Sequence, residues 1–139
     1  MPSLLLDTHV LVWFINRDPK LGSLSRSLIE QGLVADRLCL SSVTFWEVAL
    51  LSSKGRVALN TPPTAWRTAV LGMGVREYPL DGDVAIRSAL LADLHRDPAD
   101  RFIMATAIRH GATLVTADDR ILSGWWMVAS MRNLARTVF

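Results

Sequence analysis

"PADRFIMATAIRHGATLVT", residues 98–116, decides the fold. Proline is tolerated in a helix at its first position, where its missing N–H removes no bond. Asp97, just ahead of Pro98, then reads as the N-cap, and Asp100 falls at N3. The apolar run from Phe102 to Ile108 carries the helix to Gly111, a natural C-terminal stop. "ATLVT" (112–116) follows at once and reads as a short buried strand. A helix that hands over directly to a buried strand is the second half of a crossover, and crossovers join parallel strands.

Outward from that unit the chain keeps alternating. "SLLLD" (3–7), "RLCLSS" (37–42) and "VREYPL" (75–80) read as further strands. Helices are expected at "HVLVWFIN" (9–16), "LGSLSRSLIEQGL" (21–33), "TFWEVALLSSKG" (44–55), "PPTAWRTAVLGMG" (62–74) and "DVAIRSALLADLH" (83–95). Short apolar strands alternating with helices predict an α/β fold of three layers, α/β/α, with a central parallel sheet and helices on both faces. No repeat, low-complexity tract or linker interrupts it, so residues 1–139 are read as one domain. After Ile121 the reading stays open. "GWWMVASMRNLARTVF" (124–139) accommodates a fifth strand near Trp126–Ala129, a last helix, or a strand at its very end.

Half of the 139 residues are hydrophobic, which excludes a disordered chain. The apolar runs are too short to cross a bilayer, and "MPSLLLDTH" is not a secretory segment. Cys39 is the only cysteine, so no internal disulfide forms, and a cytoplasmic protein is expected. The net charge is +2 and the pI about 9.2. Lys20 and Lys54 are the only lysines; the other basic residues are arginines. Arginine suits phosphate because its planar fork grips two oxygens. Genome-wide codon bias explains the same count, so the charge permits a nucleic-acid partner without requiring one.

In an open parallel sheet, function collects beyond the carboxyl ends of the strands. Four acids are expected there: Asp7 ending the first strand, Glu47 in the first turn of the helix after the second, Asp100 in the first turn of the fifth helix, and Asp118 after the fourth strand. Each has a plainer reading as a cap. Asp7 serves a helix from His9; "TFWE" (44–47) forms a capping box with Thr44 as cap; "DPAD" (97–100) forms another; Asp118 or Asp119 caps a last short helix. Asp7, at the end of a buried apolar strand, fits that reading least. Carboxylates gathered from distant parts of a chain repel, and a folded protein tolerates them when a cation sits among them. All-oxygen ligands without sulfur favour Mg²⁺ or Mn²⁺.

With these residues in view, the chain resembles a PIN domain, and closely the VapC toxins of bacterial and archaeal toxin–antitoxin pairs. The resemblance rests on "LLLDTHVLVW" (4–13), "SSVTFWEVALLSSKGRV" (41–57), "YPLDGDVAIRSALL" (78–91) and "HRDPADRFIMATAIRHGATLVTADDRI" (95–121), in that order. It implies a parallel sheet of about five strands with helices on both sides, and Mg²⁺- or Mn²⁺-dependent endoribonuclease activity. It puts the catalytic, metal-holding quartet on Asp7, Glu47, Asp100 and Asp118, with Asp97 as an extra acid reaching a metal through water. By the same resemblance Thr116 is the hydroxyl that orients the last acid, and Thr8 holds the small polar position after the first. Arg101 is left between a phosphate contact and an ion pair with the acids. The implied partners are an RNA substrate, a small VapB-like antitoxin, a second copy of the chain, and operator DNA reached only through the antitoxin. The tail after "DDRI" departs from the family pattern, which leaves the fifth strand open.

Other chemistries fit less well. His9 and His95 near the same edge suggest a metal-free route through the RNA 2′-hydroxyl. His95 reads more simply as a loop residue, and His110 as a complement to a helix C-terminus. No glycine-rich phosphate loop is present, and no histidine pair has zinc-site spacing. A solitary PIN nuclease of RNA processing and a catalytically silent binding module are the two alternatives. Five tryptophans raise one more question: Trp13, Phe14 and Trp46 either pack into the core or line an apolar groove beside the acids for a partner segment.

Overall fold

Three leucines make the central strand. In the computed structural model, which describes residues 2–91 and 97–117, Leu4–Leu6 form β1 and all three are buried. The remaining elements are α1 (Thr8–Ile15), α2 (Ser23–Val34), β2 (Leu38–Ser41), α3 (Ser42–Ser53), α4 (Pro63–Gly72), β3 (Arg76–Tyr78), α5 (Gly82–Leu90), α6 (Pro98–His110) and β4 (Thr113–Val115). The strands pair in the order β3-β2-β1-β4, all parallel. Leu4 and Leu5 lie opposite Leu38 and Cys39 on one side. Leu4, Leu5 and Leu6 lie opposite Thr113, Leu114 and Val115 on the other.

The pleat sends alternate side chains to opposite faces, and two cores result. Leu4, Leu6, Leu38, Leu40 and Val115 join α1, α2 and α4 through Val10, Leu11, Ile29, Trp66 and Val70. Leu5, Cys39 and Leu114 meet α5 and α6 through Val84, Ile103, Met104 and Ala107. This is the expected three-layer α/β/α arrangement. Strand β2 passes to α3 with no loop between, so α3 straddles the edge and gives Val48 to the first core and Val43 to the second. Gly32 lets α2 lie close on the sheet, since a Cβ there would come within 2.8 Å of Leu4 Cδ1 and 2.9 Å of Leu38 Cδ2.

Element ends follow local chemistry. Gly111 (φ 60°) ends α6, with its N–H donating to Ile108 O and the Ala112 N–H to Ala107 O. Gly55 (φ 70°) closes α3 the same way, through Gly55 N–H to Ser52 O and Arg56 N–H to Leu51 O. These are paired left-handed C-terminal turns, and glycine suits them because it has no Cβ.

Two expectations differ at the boundaries. The helix predicted over 83–95 is α5, which ends at Leu90. The backbone of the next residue, Leu91, is extended (ψ 142°) and cannot continue it. Four strands stand among the described residues where about five were expected; every position considered for the fifth lies outside them. No helix of the described residues is long and apolar enough to cross a membrane.

Candidate functional site

From β1 the chain moves outward to β2 and β3; from α6 it returns to the far side of β1 as β4. The order of connection therefore reverses between β1 and β4, and a crevice opens beyond the carboxyl ends of strands at such a point. Asp7 is the first residue past β1, and Thr116 the first past β4. Asp7 is 5% exposed and Thr116 1%. The Thr116 hydroxyl donates to Asp7 Oδ2 at 2.7 Å, across the reversal. The Thr8 N–H donates to Asp7 Oδ1 at 2.8 Å, and the Asp7 N–H donates to Val115 O at 3.0 Å. Asp7 is also the N-cap of α1. The cap reading of this residue is thus met, at the edge of the sheet where the four acids are expected.

Glu47 comes to Asp7 through Thr8. The Thr8 hydroxyl donates to Glu47 Oε1 at 2.6 Å and lies 3.1 Å from the Thr44 hydroxyl. A hydroxyl has one hydrogen. Thr8 gives its own to Glu47, so Thr44 is the donor to Thr8, and a directed chain runs Thr44 to Thr8 to Glu47. The capping-box reading of "TFWE" is corrected here. Helix α3 starts at Ser42, its cap is Ser41, whose hydroxyl accepts from Val43 N–H at 3.2 Å, and Glu47 stands in the second turn. Thr44 is fully buried on the same helix face as Glu47, three residues away. It is the site residue the sequence reading misassigned; that three-residue spacing was the available signal.

Helix α6 leads through Gly111 into the start of β4, so it runs against the strands and its N-terminus lies at the carboxyl edge. Asp97 caps it by accepting from Ala99 N–H at 3.0 Å, Pro98 takes the first position and the buried Asp100 the third, as the sequence predicts. Burial pushes the Glu47 carboxyl above its ordinary value. The Thr8 hydrogen bond opposes that shift, while the negative charges of Asp7 and Asp97 add to it and His9 opposes them. Asp7, Glu47 and Asp97 are therefore within electrostatic reach of one another.

Among the described residues, no three histidine, cysteine, aspartate or glutamate side chains are placed to hold a metal ion by themselves. Asp118, the fourth predicted acid, lies outside the described residues, as do His95, Trp125 and Trp126. The donors that are placed are carboxylate oxygens with a hydroxyl beside them, and their mutual repulsion is of the kind a cation relieves. In kind, this set fits a hard divalent ion.

The other predicted residues make further contacts, and the acid that Thr116 is expected to orient, Asp118, lies outside the described residues. The Arg101 guanidinium donates to the carbonyls of Ser88 (3.1 Å) and Leu91 (2.9 Å), tying α6 to the end of α5. The Thr116 hydroxyl serves the first acid. His110 stacks on Tyr78, with ring centroids 3.6 Å apart and an 8° tilt. Burial first, and then Arg109, holds its imidazole below the ordinary value, which opposes a cation at the helix end. The aromatic question divides. Phe14 is buried and Trp13 packs partly against the first core. Trp46 is 58% exposed and borders an apolar cavity of about 320 Å³ with Val43, Leu80 and Phe102.

Comparison with known proteins agrees with this fold. The sequence model of the PIN domain matches residues 4–123. The chain is 36% identical over 124 residues to Ribonuclease VapC22 of Mycobacterium tuberculosis, covering 88% of this chain and 92% of that protein. It is similar to a chain of DNA-bound VapBC from Salmonella typhimurium, with a TM-score of 0.64 at 20% identity over 99% of this chain and 98% of that one. It is also similar to a chain of VapBC2 from Rickettsia felis bound to a promoter DNA fragment, with a TM-score of 0.65 at 18% identity over 98% of each. At such identities these two structures speak to the fold.

Proposed function

The chain belongs to the PIN-domain family, and from that premise we propose that it is a metal-dependent endoribonuclease, the toxin of a type II toxin–antitoxin pair. The observation that carries the reading is Asp7. It sits where the strand connections reverse, with one carboxylate oxygen fixed by Thr8 and the other by Thr116, beside a second carboxylate held by Thr8. The name of the 36%-identical relative, a ribonuclease, supplies the substrate class. The solved VapBC chains of the same fold support a toxin role.

Asp7, Glu47, Asp100 and Asp118 would hold Mg²⁺ or Mn²⁺, with Asp97 reaching it through water. Such an ion, when bound, supplies Lewis acidity that activates water and offsets charge on the phosphoryl oxygens. The protein's part is positioning. Thr8 N–H and Thr116 Oγ1 fix both oxygens of Asp7 against rotation. The Thr44–Thr8 chain fixes Oε1 of Glu47. In-line hydrolysis by water leaves 5′-phosphate and 3′-hydroxyl ends. Arg101, fastened to α5, is a structural clamp in this scheme.

The same reading includes a small VapB-like antitoxin that blocks the site, a homodimer, contact with operator DNA only through the antitoxin, and action in the cytoplasm. The deciding experiment incubates purified protein with RNA in Mn²⁺ or EDTA and maps the ends produced. Cleavage that needs the ion, leaves 5′-phosphates and disappears in Asp7→Asn is expected. Cyclic phosphates formed in EDTA would move the chemistry to the histidines. Absence of cleavage with a still-toxic Asp7→Asn would leave a binding module. A small reading frame encoded next to this one separates the toxin from a solitary RNA-processing nuclease.

A further inference from the structure

His9, Val12 and Trp13 of α1 and Asn16, its C-cap, form one stripe, spaced i, i+3, i+4, i+7. All four line a cavity of about 510 Å³. Its opposite wall is the end of α3 and the residues after it, including Leu51, Arg56 and Val57. One end lies at His9, the residue after Thr8, close enough for its charge to act on Glu47. The stripe then runs roughly 10 Å from the acids, at 1.5 Å per helical residue.

The chemistry along it changes in order. Near the acids are two rings, His9 and Trp13, with centroids 6.1 Å apart and a 33° tilt. Val12, Leu51 and Val57 make an apolar floor. Farther along stand Lys20 and Arg56, both exposed, and no ion pair among the described residues engages either. Asp18 lines the same end, and its Oδ1 accepts the Lys20 backbone N–H at 2.9 Å. The backbone at Arg56 is fixed by its N–H, which donates to Leu51 O at 2.9 Å in the turn closing α3. The cavity continues past Asn16 and Ala58 into a second of about 440 Å³ bordered by Arg17 and Asn60. Arg17 keeps a left-handed backbone (φ 52°) where glycine would be easier.

Rings for stacking, an apolar floor and cations beyond them are what a single-stranded nucleic acid requires. The cavity beside Trp46 is nearly all apolar and lacks those cations. We infer that the α1 groove is the RNA-strand subsite of this protein: a nucleobase beside the scissile bond stacks on His9 and Trp13, and the following phosphates meet Arg56 and Lys20. This rests on the nuclease reading for its substrate class. It makes the α1 stripe, rather than the acids, the place where base preference is set.

The test reads binding, not cleavage. A fluorescein-labelled mixed-sequence single-stranded RNA is titrated in EDTA with the Asp7→Asn protein, by anisotropy over a range of KCl. Adding Lys20→Ala and Arg56→Ala should flatten the salt slope by about 1.4, since each phosphate contact on a single strand contributes about 0.7. Trp13→Leu should weaken binding about 5- to 150-fold, the equivalent of one stacked base. His9→Ala, an exposed change, keeps the stacking half of the test alive should Trp13→Leu fail to fold. Unchanged slope and affinity would overturn the inference. So would variants that spare RNA and lose a small protein encoded beside this chain, which makes the groove a protein seat. RNA binding that responds as expected in a protein that never cuts RNA would keep the subsite and sink the nuclease.

Discussion

Replacing Thr8 with valine keeps the side chain's shape and removes the one oxygen that joins Thr44 to Glu47. A hydrogen bond to a charged group contributes about 1.5–3 kcal/mol. Glu47 is only partly buried, so water recovers a share and the low end, about 1.5 kcal/mol, applies. Thr44 is fully buried and loses its acceptor, which adds about 1–3 kcal/mol. The metal-free variant should therefore lose about 3 kcal/mol near pH 7. The loss should depend on pH with a definite sign. Glu47 is raised above its ordinary 4.5, so the folded state binds more protons than the unfolded one in that window. Its contribution is full below the ordinary value and is lost as pH rises through the folded one. Without Thr8, the only local bond opposing that rise, the window widens and the deficit grows from about pH 4 towards pH 7. Urea unfolding in EDTA, followed by tryptophan fluorescence at both pH values, measures it. Glu47→Gln, with no charge to desolvate, should stabilise the metal-free protein at neutral pH. A Thr8→Val deficit below about 0.5 kcal/mol, or one identical at the two pH values, would refute the chain from Thr44 to Glu47.

Thr116→Val frees one oxygen of Asp7 and should weaken Mn²⁺ binding about 10- to 100-fold by calorimetry, as loss of a ligand-orienting partner does; an unchanged affinity would separate Thr116 from the metal. Cys39 has its thiol pushed up to about 12 by burial, so the native protein should resist a thiol reagent at pH 8 and react only on unfolding. Arg101→Met keeps the aliphatic stem and loses the bonds to α5; a cost of about 2 kcal/mol and faster amide exchange at the end of α5 are expected, and a pure loss of RNA affinity would restore the phosphate reading.

The layers were legible because two periods dominate. The apolar strands β1 and β2 are buried on both faces, and that requires helices above and below; β3 (Arg76–Tyr78), at the edge of the sheet, is polar and partly exposed. Pro98 and Gly111 bracket α6 at both ends, so its boundaries were readable too. The start of α3 was not. Ser41, Ser42 and Thr44 are all good caps, and only the pairing of Ser41 with Tyr78 in the sheet decides which of them leaves the strand. With the cap moved three residues back, Glu47 shifts a turn into the helix, and Thr44 moves from a terminus to the buried side. The bond from Thr8 to Glu47 crosses 39 positions, and no local pattern announces it. The stack of His110 on Tyr78 was hidden for a similar reason: Tyr78 belongs to β3, far back in the sequence, and no local pattern announces the contact.

A capping role and a chemical role do not exclude one another. Asp7 caps α1 and Asp97 caps α6, and both also act on the charge of Glu47. A helix N-terminus carries partial positive charge and unsatisfied N–H donors. It is therefore one of the few places where a fold can hold a carboxylate buried before any cation arrives. A sheet whose connections reverse beside β1 brings two such termini, those of α1 and α6, to one edge. The caps hold the acids still, and Thr8 and Thr116 set the direction in which the oxygens of Asp7 point. An acid stripped of its capping bond would be free to turn away to water and leave the edge. On this view the stability of the helix ends and the readiness of the site are the same interactions, and they should fail together.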